Sequence, residues 1–231
     1  VCSSDLALKL TDPRRLLPDP FILLSSDNLD DTVEAAIAGR FENAGQACNA
    51  AKRFIVVADV YDEFLDKFTK KVLEAGDGLA PLSSLAAAQR LGSQVDQVVS
   101  DGATLTSEGA RNGAFFPPGV LTNVNPDLPS AKEELFGPVA TVYKVADEDE
   151  AVKLANDIPF GLGSYVFTTD AEQAQRVADK IDAGMVFVNG VGLDSMELPF
   201  GGVKRSGFGR ELGRAGIEEF ANKKLIRTVR G

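Results

Sequence analysis

The stretch "RFIVVADVYDEFLDKFTKKVLEA", residues 53–75, decides the fold class. It opens with "RFIVVA" (53–58), an apolar, β-branched run of strand length. From Val60 onward Phe64, Phe68 and Val72 recur at four-residue spacing, the pattern of a helix with one apolar face. A strand that feeds directly into an amphipathic helix is half of a βαβ unit, and the pattern repeats on either side. Upstream, "FILL" (21–24) reads as a short buried strand. "DDTVEAAIAGRFENAG" (30–45) reads as a helix opened by Asp30 or Asp31, with Val33, Ala36, Ile37 and Phe41 on one face. Downstream, "PLSSLAAAQRLGSQVDQVVSDG" (81–102) is a helix capped by Ser83 or Ser84 and ended by Gly102. "GAFFPPGVLTNV" (113–124) is extended, as its two prolines require. "VATVYKV" (139–145), "GSYVFTT" (163–169) and "GMVFVN" (184–189) are strands. They alternate with helices "DEDEAVKLAND" (147–157), whose acidic first turn suits the helix dipole, and "DAEQAQRVADKID" (170–182). The fold class is therefore α/β: a largely parallel sheet with helices on both faces. The continuous apolar strands "FIVV" and "MVFVN" imply burial on both sides. One domain over about 19–215 is the economical division. Residues 1–18 read as an irregular, non-native N-terminus, and 216–231 as a tail ending in a strand, "KLIRTVR".

Composition narrows the function. At 231 residues the chain can bury roughly 70% of its unfolded surface and needs no disulfide or metal staple. It has two cysteines, Cys2 and Cys48, and no histidine. That excludes a disulfide framework, a His-ligated metal and a thiolate cage, and it makes a reducing, cytoplasmic compartment the simplest expectation. A net charge of −10 argues against general nucleic-acid binding, which relies on cationic neutralisation of phosphates. The locally basic stretch from Lys204 to Gly231 reads as a solvated face or interface rim. No apolar run approaches the roughly 20 residues of a membrane span, and "VCSSDLALKL" lacks the pattern of a signal peptide.

The chemistry centres on "RFENAGQACNAAKRF" (40–54). A free cysteine is ordinarily a small buried apolar group. Cys48, however, follows Gly45 and Gln46 at a junction between helix and strand. A glycine there lets the backbone turn sharply and aim amides into a cleft, where they would stabilise a thiolate or a developing oxyanion. "SGFGRELG" (206–213) is not a dinucleotide fingerprint, because no strand precedes it and its spacing is wrong. It reads as a turn and helix start.

"GQAC", then "KEELFGPV" (132–139), then "LPFGGVKRSGFGRELG" (198–213) occur in that order, and by them the chain resembles the aldehyde dehydrogenase superfamily from about Asp19 to the C-terminus. Within it, the wording is most similar to the bacterial succinate-semialdehyde dehydrogenase branch. The resemblance implies NAD(P)+-dependent oxidation of an aldehyde, succinate semialdehyde above all. Cys48 would add to the aldehyde carbon, and a thioester would then be hydrolysed to the acid. It implies that Glu134 binds the nicotinamide ribose hydroxyls of NAD or NADP and that Phe136 packs near that ribose. Phe200 and Ser195 would line the substrate pocket, with Gly201 and Gly202 making a tight turn. Asn189, Gly45 and Gln46 would be structural groups near the site. No metal, nucleic acid or membrane enters, and a homo-oligomer is expected of the full-length relative.

Departures from the family pattern are equally specific. The family's general-base glutamate lies 34 residues before the cysteine, which here is Arg14, in "PRRLL" (13–17). Arginine cannot accept a proton at neutral pH, and loss of a general base costs about 10²–10⁴-fold. The family's dinucleotide-binding half and the asparagine that completes its oxyanion hole have no counterpart in these residues. The chain is therefore expected to be a truncated catalytic domain, inactive or nearly so. Where a relative has a substrate-binding arginine six residues before the cysteine, this chain has Glu42, so Arg40 or a group from the remaining half would have to meet a substrate carboxylate. Ala50 stands where some relatives carry a redox-switch cysteine. A residual cysteine esterase and a non-catalytic oligomerisation module are the competing expectations.

Overall fold

The computed structural model describes residues 19–229. Residues 1–18 lie outside it, so Cys2, Arg14 and the irregular N-terminus expected from sequence lie outside the described residues. Strand β1 (Asp19–Leu23) leads through α1 (Leu29–Phe41) to β2 (Ala51–Val57). Helices α2 (Ala58–Glu74) and α3 (Leu85–Ser100) follow, then β3 (Thr104–Ser107), β4 (Gly119–Thr122) and β5 (Val139–Val145). Helix α4 (Glu148–Asn156), β6 (Phe160–Gly161), β7 (Tyr165–Phe167), α5 (Ala171–Lys180) and β8 (Phe187–Val188) complete the alternation. β9 (Val203–Lys204) and α6 (Gly213–Glu218) close the described order.

Seven strands form one sheet in the order β3-β4-β5-β2-β1-β7-β8, and β6 pairs with β9 in a small antiparallel ribbon. Every pairing in the large sheet is parallel except β3 with β4. Parallel neighbours need crossovers, and β1–α1–β2 is the first of them. Alternation along β1 and β2 sends side chains to two cores. Phe21, Leu23, Phe54 and Val56 meet α1 and α2 through Val33, Ala36, Phe64, Phe68 and Val72. Ile22 and Ile55 face α3, α4 and α5 through Leu91, Val95, Ala151 and Val177. The first core is a stack of rings: Phe21–Phe167, Phe54–Phe68 and Phe64–Phe68 lie 4.5, 4.6 and 5.2 Å apart, separations at which aromatic pairs add to their area burial.

Helix ends and edges account for the differences from the sequence reading. The side chain of Asn28, rather than Asp30 or Asp31, caps α1 by accepting from the Asp30 amide, and the two aspartates occupy the first turn. Ser84 caps α3 by accepting from the Ala87 amide, and Gly102 follows at φ 106°. The short edge strand β3 had no apolar pattern to announce it, since three of its four residues are exposed. "MVFVN" is not buried on both faces: β8 is the opposite edge of the sheet, and Val188 is exposed. "KLIRTVR" forms no strand over its described residues 224–229, which pair with no sheet edge and are exposed.

Candidate active site around Cys48

Helix α1 runs out at Arg40 and Phe41 into a 3-10 turn, Glu42–Gly45. There Asn43, Ala44 and Gly45 all have positive φ, at 49°, 54° and 76°. Three successive left-handed residues are costly unless the surroundings hold them. Only glycine fits the third position, because a Cβ on Gly45 would lie 2.4 Å from the Gly137 carbonyl oxygen. The chain then turns through Gln46, Ala47 and Cys48 and enters β2. Cys48 is exposed on this turn.

A buried scaffold of charged side chains holds the loop. The Arg40 guanidinium is fully buried. It donates to Ala51 O at 2.7 Å, Gly45 O at 3.1 Å, Leu135 O at 3.4 Å and Gly137 O. One side chain thus ties the end of α1, the strained turn, the start of β2 and the 133–137 loop. Lys52, also buried, donates from Nζ to Ala47 O, Cys48 O and Ala50 O at 2.9, 3.0 and 2.9 Å. The same ammonium lies 2.7 Å from Glu134 Oε1. Gln46 reaches the other way: its Oε1 accepts from the Ser83 amide and its Nε2 donates to Asn43 O and Pro81 O. Tyr165 OH donates to Asn49 O at 2.8 Å, and Asn49 Nδ2 donates to Asp194 at 3.0 Å. Asp19, buried at the head of β1, accepts from the Gly163 amide at 3.1 Å.

Electrostatics follow from burial. The Cys48 thiol is pushed up by desolvation. Lys52 and the Asn49 and Cys48 amides pull it down, and Asp19 raises it further. The Asn49 and Cys48 amides act against desolvation without outweighing it. Burial likewise raises the Asp19 carboxyl well above its ordinary range, against the pull of Lys52. It pushes Arg40 down to about 10, with Glu134 acting the other way.

The structure brings some expected residues together and reassigns others. Gly45 and Gln46 are structural supports of the Cys48 loop. Phe136 is exposed, its ring centroid 5.8 Å from Lys52 Nζ. Glu134 instead turns inward, with its side chain only 2% exposed. As placed, the 133–137 loop offers a dinucleotide one open ring face, while the Glu134 carboxylate is engaged by Lys52 and does not fit a ribose diol. Ser195 and Phe200 line a cavity of about 140 Å³ together with Met185, Phe187, Asp194 and Leu198. The Ser195 hydroxyl donates to Glu197 at 2.9 Å. Phe200 is fixed by two backbone bonds with Glu211, and Gly201 turns the chain at φ 156°. Asn189 is fully engaged with Thr168, accepting from its N–H and donating to its carbonyl at 2.9 Å each. It opens the loop that returns through Asp194 to Asn49. Arg40 corrects an expectation: fully buried and bound to carbonyls, it cannot meet a substrate carboxylate. A cleft of about 560 Å³ between α3 and the β3 edge contains none of these residues. Sequence reasoning missed Asp19, Lys52 and Tyr165.

The structure sets an exposed thiol on a strained turn at the head of a parallel strand of an α/β domain. Residues 18–226 match the aldehyde dehydrogenase family, and the chain belongs to that family. It is 52% identical to the succinate-semialdehyde dehydrogenase [NADP(+)] of Deinococcus radiodurans, over 91% of this chain and 46% of that protein. It is 47% identical to the enzyme of the same name from Mycobacterium avium, over 90% of this chain and 46% of the relative. Among solved structures, succinic semialdehyde dehydrogenase from Streptococcus pyogenes in complex with NADP+ superposes with a TM-score of 0.86 at 38% identity, covering 93% of this chain and 50% of that one. The chain spans about half the length of the curated relatives it matches.

Proposed function

We propose that this chain carries the nucleophile-bearing half of an NAD(P)+-dependent semialdehyde dehydrogenase, with Cys48 as the nucleophile. The observation that carries the reading is the Cys48 loop, whose three left-handed residues are locked by Arg40 and Lys52 while the thiol stays accessible. Such a thiol adds to an aldehyde carbon. The C–S bond forms as the carbonyl π bond breaks, and the thiol proton ends on the former carbonyl oxygen, giving a hemithioacetal. The Cys48 and Asn49 amides favour the oxyanion of that step. A nicotinamide dinucleotide is the oxidant in this chemistry, and Phe136 is the described side chain best placed to contact it. Glu134 would have to leave Lys52 to join it, so no step is assigned to Glu134.

Succinate semialdehyde is the favoured substrate because the succinate-semialdehyde dehydrogenases of Deinococcus and Mycobacterium are the relatives with these identities. Its carboxylate finds no cation near Cys48 among the described residues named here, since Arg40 and Lys52 are committed to carbonyls and to Glu134. Recognition of that end is assigned to groups outside the Cys48 loop, and a homo-oligomer is the assembly proposed for the full-length relative. The division into a catalytic domain over 19–215 and a tail over 216–231 is retained on the same reading.

The test is iodoacetamide labelling of the purified chain, read peptide by peptide, with and without succinate semialdehyde. Labelling at Cys48 that the aldehyde slows supports the proposal. A Cys48 that is unlabelled, or labelled at a rate indifferent to the aldehyde, overturns it. Nicotinamide reduction is followed in parallel, and no turnover is expected from this chain alone.

A further inference from the structure

We infer that Lys52 is a positioning residue for the nucleophile: its ammonium gathers the Ala47 and Cys48 carbonyls beneath the loop and so turns the Cys48 and Asn49 N–H groups toward the thiol. The inference rests on the proposed role of Cys48. Its basis is peptide geometry. In a planar trans peptide the carbonyl and the following N–H point in opposite directions. Ala47 O shares a peptide with the Cys48 N–H, and Cys48 O shares one with the Asn49 N–H. Both carbonyls point at Lys52 Nζ, at 2.9 and 3.0 Å. Both amides therefore point away from the ammonium, and both act on the Cys48 sulfur, lowering its titration.

Burial makes the arrangement rigid. Lys52 is only 2% exposed, and its three N–H donors face three carbonyls and one carboxylate oxygen. A lysine with that surrounding has no freedom to sample other rotamers, so the two peptide planes are fixed before any substrate arrives. Glu134 supplies the counter-charge from the 133–137 loop, which joins the orientation of the nucleophile to that loop. The charged and titratable groups around the sulfur and the ammonium come from every packed element: Asp19 on β1, Arg40 on α1, Tyr165 on β7 and Glu134.

The experiment compares the pH dependence of iodoacetamide alkylation at Cys48 in the parent chain, Lys52→Met and Lys52→Gln, with folding checked by circular dichroism. Lys52→Met should move the alkylation midpoint upward and slow the reaction about tenfold at pH 7.5, the effect of one pH unit in thiolate population. Lys52→Gln is neutral but can still donate to a carbonyl, and it should recover part of that loss. Equal behaviour of the two variants would mean that charge alone matters and would overturn the positioning role, as would an unmoved midpoint. If the variants do not fold, the unmutated chain decides: the Cys48 and Asn49 amide resonances must titrate with the thiol. Amides indifferent to thiol ionisation overturn the inference. An unreactive parent Cys48 overturns the nucleophile reading itself, a result distinguishable from any change confined to the variants.

Discussion

Replacing Arg40 with methionine tests how the Cys48 loop is held. The substitution keeps a long apolar stem and deletes the guanidinium. Three short bonds vanish, to Ala51 O, Gly45 O and Gly137 O. Hydrogen bonds from charged donors contribute about 1.5–3 kcal/mol each, so the gross loss is about 5–9 kcal/mol. Part of it is offset, because the buried guanidinium was itself costly. Its fall from the ordinary value to about 10 corresponds to about 3 kcal/mol of desolvation that methionine does not incur. The net destabilisation is then about 2–6 kcal/mol, or about 8–16 °C in Tm at the midpoint of that range for a chain of this size. Stability alone does not isolate the loop, so Arg53→Met is the control. Arg53 is also buried and donates to the Leu154 and Ala155 carbonyls, on α4. Calorimetry and Cys48 alkylation are measured on both variants. Both should melt lower, but only Arg40→Met should change the alkylation rate, because only Arg40 reaches Gly45. If the two variants alkylate alike, Arg40 stabilises the domain without shaping the nucleophile's loop, and the reasoning fails.

Gly45→Ala should cost about 2–5 kcal/mol, combining about 1–2 for a left-handed alanine with about 1–3 for the clash against Gly137 O and Arg40; denaturant unfolding that shows a loss under 1 kcal/mol would contradict the backbone account. Asp19 binds its proton more tightly folded than unfolded, so its contribution to stability is fully present below about pH 4 and is lost as pH rises through its elevated titration. Asp19→Asn should therefore show a shallower decline of unfolding free energy from pH 4 upward than the parent, and identical slopes would count against that shift. The C-terminal region exposes Ile217, Phe220, Leu225, Ile226 and Val229, each at least 75% open. Light scattering should find self-association that weakens in Phe220→Asp/Ile226→Asp, and a monodisperse monomer at high concentration would show that this surface does not drive association.

The sheet was legible because its central strands carry unbroken apolar runs and its helices carry one apolar face, as in Phe64, Phe68 and Val72. Patterning fails at edges, where a strand is defined by its partner rather than by its own residues. Hence "MVFVN" reads as doubly buried though β8 is an edge, "TLTS" (104–107) carries no strand pattern, and "KLIRTVR" reads as a strand though its described residues form none within this chain. The place of Cys48 on an exposed turn was legible from "GQAC" and from the scarcity of cysteine. Its supports were not, because Arg40 and Lys52 are charged and a charged residue defaults to the surface. A signal for Arg40 did exist. It lies four and seven residues after Ala36 and Val33, on the apolar stripe of α1, and a cation on that stripe must find acceptors inside. No comparable signal marks Lys52, which meets backbone carbonyls at Ala47, Cys48 and Ala50 and a side-chain partner, Glu134, far along the chain.

Placing those two cations inside has a consequence for selectivity. A buried ammonium or guanidinium is tolerated only when its donors are spent, and here they are spent on the carbonyls of the nucleophile's own loop and on Glu134. Several of the described groups on the neighbouring loops are acidic: Glu42 is exposed ahead of Cys48, Asp194 is bound to Asn49, and Glu197 accepts from Ser195. The same positive charge cannot both lock the loop and bind substrate. Among the described residues the positive charge of Arg40 and Lys52 is spent on holding the loop, so neither side chain is available to an anionic ligand.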